Sequence, residues 1–188
     1  MPLIIAAPRL ERWKRASTRR VGEYRVFAVD QHAMLDPGGN AARDVFTFSC
    51  PDWCNVVAVT DDGELILIWQ YRHGVDALSL EIPGGVIDEG ESAEEAARRE
   101  LREETGYEAR SWEPLLFTHP NPALQGNRCF AFLATGAHLA GKAAFDENEE
   151  CEVVRMPATS AATLVAEGHV THALVVSALQ AFALRAAR

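Results

Sequence analysis

Gly85-Val86-Ile87-Asp88-Glu89-Gly90-Glu91-Ser92, followed at a fixed interval by Arg99-Glu100-Leu101-Arg102-Glu103-Glu104-Thr105-Gly106-Tyr107, is the stretch that decides the fold. Ser92 with Glu95 three residues later makes a capping box, and Gly106 is a left-handed stop, so the spacing predicts a helix between them. At about 100° per residue, Ala93, Ala96, Ala97 and Leu101 fall on one arc and mark the buried side. Glu100 and Glu104 fall inside the same arc. Arg98, Arg99 and Arg102 point elsewhere, to be solvated or paired.

An inward pair of carboxylates one helical turn apart is expensive. Burying an unpaired carboxylate is costly and like charges at i and i+4 repel, so the chain must compensate them, and a divalent cation does so best. Oxygen ligands suit Mg²⁺ or Mn²⁺, whereas zinc would want His or Cys, and neither lies in this stretch. Glu103 lies one step round the helix and Glu91 just before it, which leaves room for more than one ion, bound waters and phosphate oxygens. The plainer alternative is a salt-bridged surface helix, since Glu95 to Arg99 and Arg99 to Glu103 are favourable spacings. The coincidence of Gly-rich loop, capping box, inward acidic pair and closing glycine favours the metal site. Gly84 and Gly85 are either a simple turn or positions where a side chain would obstruct approach of backbone to metal or phosphate.

The same residues resemble the Nudix box: Gly85, five residues, Glu91, seven residues, Arg99-Glu100, an aliphatic, any residue, Glu103-Glu104, any residue, Gly106 and an apolar residue. Every fixed position matches, with Tyr107 an aromatic where an aliphatic is commoner. The similarity runs from about Trp53 to the C-terminus, and Leu80-Glu81-Ile82-Pro83-Gly84-Gly85 looks like the lead-in of ADP-ribose and nucleotide-sugar pyrophosphatases. The resemblance implies an α+β fold, an α/β/α sandwich with a mixed sheet between helices. It also implies Mg²⁺-dependent hydrolysis of the pyrophosphate bond of ADP-ribose or a related nucleoside diphosphate sugar by a metal-activated water, giving a nucleoside monophosphate and a sugar phosphate. Mn²⁺ would be the substitute. Carried over by position, Glu100 and Glu104 are the main metal ligands, Glu103 an added ligand or water contact and the Gly84 carbonyl a backbone ligand, while Arg99 orients the glutamates. In ADP-ribose pyrophosphatases a glutamate from a loop acts as general base. Here the acidic segment from Asp146 to Glu152 offers Glu149 first and Glu147 second, though it is equally a solvated charge run or a further metal contact.

Candidates for holding the substrate are Arg72, Glu81, Gly85, Pro122 and Arg128. Arg72 ends a strand that begins after the turn Asp61-Asp62-Gly63; its planar fork reaches a phosphate or is simply an exposed strand-end arginine. Glu81 resembles a position that contacts substrate in this branch, with a structural pairing to Arg72 the equal alternative. Arg128 is the weaker third. The segment from Thr118 to Arg128 is a loop by its prolines and glycines, and Pro122, sixteen residues past Gly106, resembles the proline that marks ADP-ribose hydrolases. Its surroundings depart from the Ser-Pro-Gly version of that loop. A lone loop histidine such as His119 is more often neither acid nor base.

Composition sets the outer limits. A chain of 188 residues, 48% of them hydrophobic, suits one full domain, residues 51–188, behind a β-rich extension, residues 1–50. The net charge of −9 argues against nucleic acid or an anionic membrane as partner. Cys50, Cys54, Cys129 and Cys151 form neither a disulfide framework nor a zinc spacing, so reduced thiols in a soluble, cytoplasmic protein are expected. The opening residues are too short and too proline-broken for a signal peptide, and no apolar run reaches membrane-spanning length. The basic run from Arg9 to Arg20 reads as a solvated strand or turn. Strands are expected at 23–31, 45–49, 56–60, 64–71, 115–118, 129–134 and 152–156, and helices at 159–167 and 172–187. The resemblance makes the extension a homodimerisation element. A non-catalytic nucleotide-sugar sensor is the second reading, and it would predict a damaged acidic cluster or an attached DNA-binding module, neither of which is present; enzymes acting on dinucleotides or nucleoside triphosphates are weaker choices.

Overall fold

The computed structural model describes residues 5–144 and 150–186. The chain divides into two units, one of residues 1–50 with 121–126, the other of residues 51–120 with 127–188. The first is a three-stranded antiparallel sheet, β1 (Lys14–Glu23), β2 (Ala28–Leu35) and β3 (Ala41–Ser49), in that order. A strand over 23–31 is therefore corrected: the Tyr24 N–H donates to the Phe27 carbonyl at 2.9 Å and turns the chain there. The basic run supplies most of β1. That strand is exposed almost throughout and pairs through cross-strand polar contacts such as Arg20–Asp30 and Arg19–Gln31 rather than through an apolar face. His32 is the buried exception, its ring nitrogens each 2.8 Å from a hydroxyl, Thr18 on one side and Thr47 on the other. The segment Asn121–Gly126 joins this unit through the Phe48 N–H, which donates to the Leu124 carbonyl at 2.7 Å.

The second unit is a seven-stranded mixed sheet with helices on both faces. Its order is β10-β5-β4-β9-β7, with β6 beside β5 and β8 beside β9. The strands are β4 (Trp53–Thr60), β5 (Glu64–Arg72), β6 (Ala77–Glu81), β7 (Tyr107–Glu108), β8 (Ser111–Thr118), β9 (Cys129–Leu139) and β10 (Cys151–Pro157). β4 runs parallel to β9 and every other pairing is antiparallel. The expected hairpin of β4 and β5 forms, whereas β6 and β7 carried no clear sequence signal. β8 starts four residues before its expected position because an edge strand tolerates Pro114, where the register with β9 slips.

Alternation along the strands separates two cores. Val57, Leu65, Leu67, Leu80 and Ile82 face α2 (Ala161–Ala166) and α3 (Ala173–Ala186). Cys54, Val56, Ala58, Ile66, Phe132 and Ala134 face Ala96, Ala97 and Leu101 of α1 (Ala93–Thr105). A 3₁₀ turn, Ala158–Ser160, precedes α2, and Gly168 follows it with φ of 76°. Among the described residues no helix is long and apolar enough to cross a membrane, and the four cysteines are free thiols.

One irregularity positions everything that follows. β4 and β5 pair only at Ala58↔Ile66 and Val59↔Leu65. Beyond that point the residues after β6 take the place of β5: Val56 N–H donates to the Pro83 carbonyl at 2.8 Å, Cys54 N–H to the Gly85 carbonyl at 2.9 Å, and Ile87 N–H to the Asp52 carbonyl at 2.9 Å. The Gly-Gly turn is thereby fixed to the middle of the sheet.

Candidate active site

α1 forms as its sequence dictates. The Ser92 hydroxyl accepts the Glu95 N–H at 3.2 Å while the Glu95 carboxylate accepts the Ser92 N–H at 2.9 Å, and Gly106 closes the helix at φ 74°. Its buried residues include Ala96, Ala97 and Leu101, and with them Glu100 and Glu104, 9% and 5% exposed. Both carboxylates meet the Gly-Gly turn. Gly84 N–H donates to Glu104 Oε2 at 2.8 Å. A β-carbon on Gly85 would fall within the Glu100 carboxylate, 2.5 Å from Cδ, and one on Gly84 would lie 2.6 Å from Asn55 Oδ1. Both positions demand glycine because space, not φ, forbids anything else.

Arg99 ties the acidic cluster together. Its Nη1 donates to Glu100 at 2.8 Å and to Glu103 at 3.1 Å, Nε and Nη2 each reach Glu91 at 3.0 Å, and Nη2 also reaches the Val86 carbonyl at 2.9 Å. The hydrogen bonds from Arg99 hold the Glu91 carboxyl below the usual range, and the Glu91 bonds, above all, raise the already high pKa of Arg99. Glu103 is the most exposed of the trio Glu100, Glu103 and Glu104, its side chain 45% exposed.

The remaining sequence candidates scatter around this core. Arg72 and Glu81 are partners: Nε and Nη2 clasp the carboxylate at 2.8 and 2.7 Å, and the Glu81 side chain is 2% exposed against 41% for Arg72. Burial pushes the Glu81 carboxyl up, but the hydrogen bonds and charge of Arg72 outweigh it and leave it below its ordinary value. Arg128 is clasped by Asp52 at 3.1 and 2.7 Å and lies 5.0 Å over the Phe130 ring. Pro122 belongs with the N-terminal strands. Glu147 and Glu149 lie outside the described residues.

The structure also brings in a residue the sequence did not flag. β10 sets Cys151 Sγ 4.0 Å from Glu104 Oε1, a thiol from outside the box that the sequence did not place beside this cluster. Nothing local announces it, because Cys151 and Glu104 meet only through the β10–β5 pairing, in which Cys151 sits opposite Gln70.

Among the described residues no three Asp, Glu, His or Cys side chains converge into a complete ligand set. A cation such as Mg²⁺ is usually held by one or two carboxylates and takes its remaining oxygens from water and substrate phosphate. The two buried carboxylates, both drawn against a turn with no side chains, fit that demand.

Residues 54–179 match the NUDIX domain family. The chain is 33% identical over 152 residues to the ADP-ribose pyrophosphatase of Bacillus subtilis (strain 168), covering 80% of this chain and 82% of that protein. It is 30% identical over 159 residues to the ADP-ribose pyrophosphatase of Mycobacterium tuberculosis (strain ATCC 25618 / H37Rv), covering 83% and 76%. A crystal structure of an ADP compounds hydrolase superposes with a TM-score of 0.82 at 27% identity over 96% of each chain. With the box intact, its two glutamates turned inward and its glycines pressed against them, the chain belongs to the NUDIX family and is a Nudix hydrolase.

Proposed function

We propose that this hydrolase cleaves the pyrophosphate bond of ADP-ribose or a related nucleoside diphosphate sugar, with Mg²⁺ as cofactor and Mn²⁺ as substitute. The observation that carries the reading is the meeting of Glu100 and Glu104 with the Gly84-Gly85 turn, since it leaves carboxylate oxygens beside backbone that a phosphate can approach. The names and coverage of the relatives favour a diphosphate-linked substrate. Glu100 and Glu104 would hold the cation, with Glu103 and the Gly84 carbonyl as further donors. When bound, the cation supplies positive charge to the phosphate oxygens and to the attacking water. Arg99 fixes the glutamate side chains by its shared hydrogen bonds. Arg72, the exposed member of its pair, offers its fork to the diphosphate, next to Gly85. Arg128 and Pro122 are further candidates for holding the substrate, and Glu149 is the base that takes the water's proton.

The extension of residues 1–50 is the dimerisation element in this reading. It carries eight basic against five acidic side chains, while residues 51–188 carry ten against twenty-two, so the two parts of neighbouring copies attract. Trp13, Val21, Tyr24 and Phe46 are exposed in this extension, as expected of a surface that another copy covers. No nucleic acid or membrane partner is expected, and the thiols suit the cytoplasm.

The decisive assay incubates the protein with Mg²⁺ and ADP-ribose, GDP-mannose, UDP-glucose, NADH and nucleoside triphosphates and identifies the products. Turnover of ADP-ribose or a nucleotide sugar to a monophosphate and a sugar phosphate is expected. Hydrolysis of a triphosphate alone would overturn the assignment, and inactivity on every compound would favour a sensor.

A further inference from the structure

Glu81 is 1% exposed, and its carboxylate is matched by the Arg72 fork. Arg72 is the reachable member of the pair, and the charge of Glu104 also acts on it. His172, immediately before α3, lies in sequence between Val170 and Val175, which share a core with Leu80 and Ile82 on either side of Glu81. Its backbone carbonyl accepts the Val176 N–H at 2.9 Å, while its ring Nδ1 is buried and has no hydrogen-bond partner among the described residues. The described charged groups acting on the imidazole are Glu81 of β6 and Arg72 of β5.

This arrangement favours the neutral form of His172. Burial, the largest influence, lowers its pKa; Arg72 adds to that and Glu81 opposes it. The positive end of α3 also disfavours an imidazolium. That balance depends on Arg72 staying with Glu81. A diphosphate that takes the Arg72 fork strips Glu81 of its counter-ion, and a carboxylate buried so deeply without one is strongly destabilising. The His172 imidazole is the titratable group placed to respond.

We infer that His172 is a charge reserve for the Arg72–Glu81 pair: when the substrate diphosphate draws Arg72 away, His172 takes one proton from solvent and its imidazolium replaces the guanidinium beside Glu81. Substrate binding is thereby coupled to proton uptake, and the proton returns to solvent when product leaves and Arg72 closes on Glu81 again. His172 touches no reacting atom; it is a positioning residue that keeps Arg72 available to phosphate. The inference rests on the reading of Arg72 as the diphosphate's partner.

Calorimetric titration of the full chain with Mg²⁺ and a methylene-bridged ADP-ribose that cannot be cleaved tests it, run in buffers of different ionisation enthalpy. Between about pH 6.5 and 7.5, where an imidazole readily changes charge, the apparent binding enthalpy should rise with the buffer's ionisation enthalpy, signalling proton uptake. The slope should vanish in His172→Gln, and also in Glu81→Gln, which keeps the histidine but removes the charge that calls for the proton. The two variants fail independently, so a folding defect in one leaves the other decisive. A flat wild-type slope, or a slope that survives in His172→Gln, overturns the inference. Binding heat without buffer dependence overturns it alone, whereas no binding heat at all takes down the substrate assignment with it.

Discussion

Gly85→Ala places a methyl group where the structure has room for a hydrogen. The new β-carbon would sit 2.5 Å from Glu100 Cδ and 2.8 Å from Oε2, while non-bonded carbons settle at about 3.5 Å, so something must retreat by roughly 1 Å. Glu100 is not the far end of a mobile side chain: it is 9% exposed and Arg99 holds its Oε1 at 2.8 Å. Either the carboxylate leaves Arg99, or the turn lifts from β4 and breaks the 2.9 Å bond from Cys54 N–H to the Gly85 carbonyl. Overpacking of this kind costs about 1–3 kcal/mol, and a displacement of about 1 Å in a catalytic constellation costs on the order of 10²-fold in rate. The expected result is a folded protein melting a few degrees lower, with kcat/KM for ADP-ribose down about 10²-fold and the Mg²⁺ titration shifted to higher concentration. Gly63→Ala is the control. That glycine has φ of 76° and open space around its missing β-carbon, so the change should cost stability and leave kcat/KM alone. Near-native kcat/KM in folded Gly85→Ala would refute the placement of Glu100 against the turn.

Glu104→Gln should fold and melt normally in the absence of divalent ion yet lose turnover by orders of magnitude; an unchanged steady-state rate excludes it as a ligand. Arg99→Lys keeps the charge but cannot reach Glu91, Glu100, Glu103 and Val86 together, so kcat should fall by at least about tenfold, read from Mg²⁺-saturated kinetics. The Glu81 carboxyl sits below its ordinary value of 4.5 in the folded protein, so the Arg72–Glu81 pair contributes its full stability above that pH and loses it as pH falls through the lower folded value. Melting temperatures followed downward from pH 5 should show this loss, and Glu81→Gln should flatten it. Ser92→Ala removes one half of the capping box at an expected cost of about 1 kcal/mol, visible in denaturant melts with little change in kcat.

What the sequence made legible is local. The capping box, the glycine stop and the arc holding Ala96, Ala97, Glu100, Leu101 and Glu104 all lie between Ser92 and Gly106, and each rule that predicts them acts over one or two helical turns. The β4–β5 hairpin was readable for the same reason, through its Asp62-Gly63 turn. β1 was legible only as a solvated strand or turn because its polar residues pair by ladder bonds without an apolar alternation to mark its ends, and β7, two residues long, has no period to detect. Long-range meetings were the least accessible. The bidentate Arg72–Glu81 clasp was only one of two open readings, the Asp52–Arg128 pair joins residues 76 apart in sequence, and Cys151 reaches Glu104 only once β10 has docked on β5.

The sequence argument for a cation assumed that Glu100 and Glu104 would be unpaired, and the structure changes its premise without removing its force. Each has a hydrogen-bond donor, Arg99 for Glu100 and the Gly84 N–H for Glu104. Yet Arg99 is a single guanidinium shared among Glu91, Glu100 and Glu103, and a peptide N–H carries no net charge. Four box glutamates are thus set against one arginine, and three of them lie in the C-terminal half of α1, where the helix's own negative end adds to the deficit. Arg72, the nearby cation, is already balanced by Glu81. Hydrogen bonding therefore fixes where these carboxylates point. A diphosphate is itself an anion, so a divalent ion at this end of α1, as proposed, would offset the repulsion between it and the box glutamates.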